Sequence, residues 1–249
     1  MIFTIAGHEF KSFFQSPLAW VILAVNQILL GYMFLAQIDS FFQIQPQLAH
    51  LTNTPGVTDI VISPLFQQAA IILLLVMPLV TMRVIAEEKR SGTLILLLSS
   101  PIRLQSIVLG KFLGLVLFIL VIIGMLILMP LSLYMGTSID SGKLLSITLS
   151  MVLLLSTFAS IGLYLSSLTS NQTIAAVGTF GALLMLWIID WAGSSLESGG
   201  SLLSYLSILQ HHQRMLEGVF DSSDLAYYLL LITLFLGLTI RQLDSERQP

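Results

Sequence analysis

Residues 144–189, LLSITLSMVLLLSTFASIGLYLSSLTSNQTIAAVGTFGALLMLWII, contain no Asp, Glu, Lys or Arg. A helix crosses the hydrocarbon core with about 20 apolar residues. The run is too long for one crossing and long enough for two. Its one polar cluster, SSLTSNQT (166–173), marks the turn. The stretch therefore reads as two membrane spans, 144–166 and 173–191. No soluble domain accommodates such a segment.

The rest of the chain agrees. Charged residues make up 9% of it, against about 25% in a soluble domain, so too little polar surface exists to face water. Mean hydropathy is +0.94, as expected of a membrane protein. Further charge-free runs at 12–38, 60–82, 112–139 and 225–240 give spans at 17–38, 64–85, 112–135 and 225–241. Pro17 suits the first turn of its helix. Asp224 can cap the last span and Arg241 can snorkel at its end. The expected fold is an all-α polytopic membrane protein with six transmembrane helices, a single unit over residues 1–249.

Six spans place both termini on one side. With cytoplasmic termini, the inside holds Lys11, Arg83, Lys89, Arg90, Arg103, Lys111, Arg241 and Arg247, and the outside only Lys143 and Arg214. That bias fixes the orientation by the positive-inside rule. Residues 1–16 place Phe3, Ala6, Phe10, Phe13 and Phe14 at helical spacing, which suggests an interfacial helix on the inner leaflet or an extension of the first span. No basic, cleavable leader is visible at the N-terminus. Residues 193–223 are apolar for a loop and are expected to form short helices dipping into the outer leaflet.

Several chemistries are absent. There is no phosphate-binding G-x-x-x-x-G-K-[ST] loop and no H-E-x-x-H. No cysteine is present, so disulfides and thiolate chemistry are excluded. No span carries a central charge, which argues against an ion-coupled carrier. His211 and His212 are adjacent and point in different directions on a helix, an awkward arrangement for one metal. No catalytic, cofactor-binding or metal residues are assigned.

Charge concentrates in residues 86–111, AEEKRSGTLILLLSSPIRLQSIVLGK. Glu87, Glu88, Lys89 and Arg90 form a polar helix end. Ser91 and Gly92 interrupt it, since glycine favours a helix stop. Thr93 can cap a short helix with Leu94, Leu97 and Leu98 on one face. Pro101 ends it, and a helix starting near Ser100 runs through Arg103 and Lys111 into the third span. A leucine face outside the membrane must be buried on lipid, on neighbouring span ends, or in a partner's groove. In the spans, Asn26, Gln27, Gln67 and Gln68 are the polar candidates for a pathway or a dimer interface, or for local helix contacts.

Residues 82–102, MRVIAEEKRSGTLILLLSSPI, resemble the signature segment of ABC-2-type permeases, the membrane subunits of one class of ATP-binding-cassette exporters. Residues 9–32 and 211–230 are similar to the gliding-motility-associated branch of that family. Ile95 departs from the pattern, where the family commonly has glutamate. The resemblance implies a permease of the bacterial cytoplasmic (inner) membrane that pairs as a homodimer or with a related permease, in the lipid bilayer. It implies two separate ATPase subunits that bind ATP and Mg, with residues 86–111 as the coupling helix seated on them. No cofactor belongs to this chain and no nucleic-acid partner is expected. A mechanical or scaffold role in an ATP-driven envelope assembly is the alternative use of the same architecture.

Overall fold

A computed structural model describes residues 1–48, 56–99, 102–135, 139–194 and 207–247. Among them every regular element is helical. Helix α1 (Ile2–Gln15) ends at Ser16, whose extended backbone is what a residue before proline adopts. Pro17 then opens α2 (Pro17–Leu48), a helix of 32 residues. A π-helical turn (Thr58–Ile62) leads into α3 (Ser63–Thr81). Two short helices follow, α4 (Ala86–Ser91) and α5 (Thr93–Ser99). Long helices α6 (Leu104–Ser132), α7 (Ser141–Leu168) and α8 (Gln172–Ser194) come next. Then come α9 (Ile208–Leu216) and α10 (Ser222–Arg247).

Five runs are long and apolar enough to cross a membrane: Pro17–Pro46, Thr58–Ser91 (which a turn at 82–85 interrupts), Leu104–Ser132, Ser141–Leu168 and Ser222–Arg247. Gln172–Ile188 adds a shorter apolar helix. The chain is an all-α, multi-pass membrane protein.

Helix α7 is the axis of the bundle. It packs on α3, α6, α8, α9 and α10. Its buried face mixes leucines with Ser150, Ser156, Thr157, Ser160, Gly162 and Ser166. Small residues let backbones approach, which is how helices associate without a hydrophobic driving force. The approach is closest at Gly162, where a Cβ would fall 2.2 Å from Thr81 Oγ1. Thr157 and Ser160 satisfy their hydroxyls on carbonyls one turn back.

Helices run past the ends that charge alone sets. α2 continues through Asp39 to Leu48, and α6 includes Lys111 well inside its first turns. A charge ends a hydrocarbon crossing without ending helical hydrogen bonding. The start of α6 is later than the sequence suggests. Arg103 has an extended backbone (φ −68°, ψ 133°), so the helix begins at Leu104. Pro101 and Ser100 lie outside the described residues, as do 195–206 of the outer segment.

Candidate functional site

Helix α3 stops at Thr81, one turn after Pro78, and residues 82–85 form a non-helical turn before α4. Such a break leaves backbone groups without helical partners. One side chain recovers three of them. Ser166 of α7 accepts from the amides of Ile85 (3.2 Å) and Ala86 (3.0 Å) and donates to the carbonyl of Met82 (3.0 Å).

Lys111 recovers a fourth group. Its ammonium is 2% exposed and donates to the carbonyl of Val84 (3.0 Å), to Glu9 Oε1 (2.6 Å) and to Glu88 Oε1 (2.6 Å). An ammonium has three protons, and all three are used. One cation thus joins α6, α1, the broken turn and α4. The glycines on either side of it allow this. A Cβ at Gly110 would lie 2.7 Å from Ile5, and one at Gly114 would lie 2.6 Å from Glu9 Cβ, so α1 lies directly on the backbone of α6. Phe13 of α1 also stacks on Phe118 of α6, with centroids 5.1 Å apart. Arg83, in the turn, donates to Ser16 Oγ (2.7 Å) and lies over the Phe13 ring.

The next residue along α4 ties to the other side. Lys89 donates to the carbonyl of Ser167 and pairs with Glu246 of α10 at 2.5 Å. Glu88 and Lys89 are therefore tethers within the chain, whereas Glu87 and Arg90 are exposed. Gly92 ends α4 in the left-handed region (φ +75°), which suits glycine. Thr93 Oγ1 turns back to Ser91 Oγ (2.8 Å) and the Glu88 carbonyl (3.4 Å), in place of a forward cap.

The leucine face is turned inward. Leu94 is 4% exposed and belongs to the chain's own core, and Leu97 packs against that core. A surface within the same chain is always at hand, so it captures the leucines first. The side chain of Leu98, like Pro101, lies outside the described residues. What the turn between α4 and α5 presents outward is Arg90, Ser91, Gly92 and Thr93. Arg103 is exposed beside Gln105, Asp244 and Arg247.

The polar span residues separate. Asn26 is buried on the inner face of α2 with Ile22, Leu23 and Leu30. Gln27 donates to the carbonyl of Met125 (3.4 Å). Gln67 and Gln68 are half-buried, and Gln67 lines a cleft of about 490 Å³ with Asp59, Lys143 and Glu217.

At the far end of the bundle α9 is locked in place. Ser146 donates to the Met215 carbonyl and Ser63 to that of Leu216. The two histidines take different partners. His211 Nδ1 lies 2.5 Å from Asp224 Oδ1, and its ring stacks on Tyr227. His212 Nδ1 bonds to Ser150 Oγ (2.7 Å). Burial pushes the His212 pKa down to about 4. Asp224, expected as a helix cap, is fully buried between His211 and Arg214. Among the described residues no group of three His, Asp or Glu is placed to hold a metal.

Sequence reasoning missed the parts played by Glu9, Lys111 and Ser166. The one available signal is GKFLG (110–114), a G-x-x-x-G pattern with a lysine inside it, which marks a close helix contact at a charged position.

A comparison with known families matches residues 3–245, nearly the whole chain, to the family described as ABC-2 family transporter protein. The match stops at the family and does not reach the gliding-motility-associated branch. No curated protein matches the chain.

Proposed function

The chain belongs to the ABC-2 family of transporter proteins, and on that premise we propose that it is the permease subunit of an ATP-driven exporter, docked to its ATPase through residues 86–103. The observation that supports docking here is the shape of α4 and α5. Both are pinned to the bundle by Glu88, Lys89 and Leu94, while the turn between them exposes Arg90, Ser91, Gly92 and Thr93. A rigid, tethered turn transmits displacement, and a loose loop does not.

Two permeases pair, as identical or related chains, and two ATPase subunits bind ATP and Mg below them. The termini and the α4–α5 turn face the cytoplasm of a bacterial inner membrane, in keeping with the lysine and arginine bias. Closure of the ATPases moves the turn, and the tethers carry that motion into α6, α7 and α10. This shifts the permease between inward-open and outward-open populations. Gln67 and its cleft stand at the outer mouth of the pathway.

The test is copurification. Arg90→Glu and Thr93→Trp alter only exposed positions. The variants are expected to insert normally and to lose the ATPase. An ATPase that still copurifies with unchanged turnover would sink the assignment. Leu97→Asp is a poorer test, because Leu97 packs on the core and its loss confounds docking with folding.

A further inference from the structure

Two polar clefts stand at the end of the bundle that holds α9. One, of about 490 Å³, runs along the start of α3 past Ser63, Pro64 and Gln67. The other, of about 560 Å³, is walled by Gly56, Thr58 and Asp140. Asp59, Lys143 and Glu217 line both. The ion pair of Lys143 with Asp59 therefore stands between the two clefts as a bar. Asp59 belongs to the π-helical turn, a rare winding that recurs at functional sites.

The frame around the bar is fixed. Thr58, Val61 and Ile62 of the turn are buried. The Asp140 amide donates to Thr58 Oγ1 (3.3 Å), and Ser63 Oγ donates to the carbonyl of Leu216 (3.1 Å). What can move is the side chain of Lys143. Its carboxylate partner is 42% exposed, so the pair is weak, unlike that of the buried Lys111 ammonium. Among the described residues the Lys143 ammonium has one partner for its three protons. Glu217 is exposed and has no cation within 4.0 Å among the described residues, since Arg214, one turn back, is turned to Asp224. The stem of Lys143 rests on Gly218, whose φ of +89° suits glycine and where a Cβ would come within 3.3 Å of Lys143 Cγ. A seated stem thus carries its head beside two carboxylates that wall the same clefts.

We propose that Lys143 is a swinging bar. Paired with Asp59 it keeps the two clefts apart, and paired with Glu217 it joins them into one polar channel from the 56–59 turn to Gln67. A weak pair suits this part. The swing exchanges one exposed ion pair for another of similar strength, so neither position traps the lysine. A buried, fully satisfied cation such as Lys111 holds one position only. The role in transport rests on the reading of the Gln67 cleft as the mouth of the pathway. The swing itself is a property of the permease alone.

The chain has no cysteine, so a single Gln67→Cys reports on the channel. The full chain in detergent is treated with a small and with a bulky thiol reagent, and the two rates are compared. The bulky reagent needs the joined clefts. Lys143→Met keeps the stem and removes the charge, and it is expected to raise the bulky-reagent rate by about threefold, the scale of a half-exposed ion pair. Asp59→Asn keeps an acceptor for the Gly56 amide and is expected to do the same. The double variant is expected to add nothing, because both changes remove one pair. Glu217→Gln removes the second seat and is expected to lower the rate. An unchanged rate in Lys143→Met, additive increases in the double variant, or a rise in Glu217→Gln overturns the proposal. So does labelling of Ala70→Cys, buried one turn deeper along α3, because that reports general loosening. Unchanged ATP-driven transport by a Lys143→Met complex whose labelling follows these rates removes the pathway role and leaves the bar in place.

Discussion

Lys111 and Glu9 are separated by 102 positions in the chain, yet their charged atoms lie 2.6 Å apart at the junction of α1 and α6. The lysine is almost wholly buried and the glutamate is 15% exposed. The contact fixes where the first helix lies, and hence how the α4 segment is held through the same ammonium.

Removing that cation strands two carboxylates. Lys111→Met is expected to destabilise the protein by about 3 kcal/mol, because uncompensated buried charge costs more than the pair itself contributes. Adding Glu9→Gln and Glu88→Gln should recover about half of the loss, since the stranded groups are then neutral. Thermal unfolding in detergent reads both steps. A triple variant no more stable than Lys111→Met alone would show that charge was not the cause.

The broken turn gives a local prediction. Ser166→Ala leaves the amides of Ile85 and Ala86 and the carbonyl of Met82 without partners. Amide exchange at residues 85 and 86 should quicken by about tenfold, the scale of one unsatisfied buried group. Exchange in the middle of α7 should not change.

Gly114 tests the seat of α1. A side chain there meets Glu9 Cβ at 2.6 Å and the Ala6 carbonyl at 3.2 Å, and backbone cannot give way as a flexible side chain does. Gly114→Leu should push α1 off α6. The chain has no cysteine, so engineered cysteine pairs report directly. A pair spanning α1 and α6 is expected to crosslink in the parent and to lose most of its yield in the variant.

At the end of the bundle that holds α9, pH should act through His212. Its folded pKa of about 4 lies below the ordinary 6.5, so the folded state disfavours the proton. The unfolded chain binds the proton first. The stability held by neutral His212 is complete above pH 6.5 and is lost as pH falls toward 4. Over that window the loss is roughly 3 kcal/mol. His212→Gln should flatten this part of the stability–pH curve relative to the parent. Parallel curves for the two proteins would contradict the prediction.

The membrane class was legible because hydrocarbon tolerates so few charges: the uncharged run at 144–189 admits few other readings. The stop at Gly92 was legible for a similar reason, since a left-handed turn is cheap for glycine and costly for other residues. The direction of the leucine face was not. Periodicity places Leu94 and Leu97 on one side of a helix, but which neighbour covers that side is a tertiary matter. The same limit hid Asp224. Its position at a helix start suggests a cap, whereas its burial against His211 depends on how the preceding helix α9 folds back onto the start of α10. Lys111 was visible as a charge, while its two carboxylate partners, far apart in sequence, were not.

Helix α2 has 32 residues and a rise of about 1.5 Å for each, so it measures about 48 Å, against about 30 Å of hydrocarbon. Tilting absorbs only part of that excess. The remainder, beginning near Asp39, stands clear of the lipid as a stiff mast at the end of the molecule away from α1. Whatever meets the protein on that face meets this mast early, and a label placed near Phe42, which is 62% exposed, would report the encounter without disturbing the bundle.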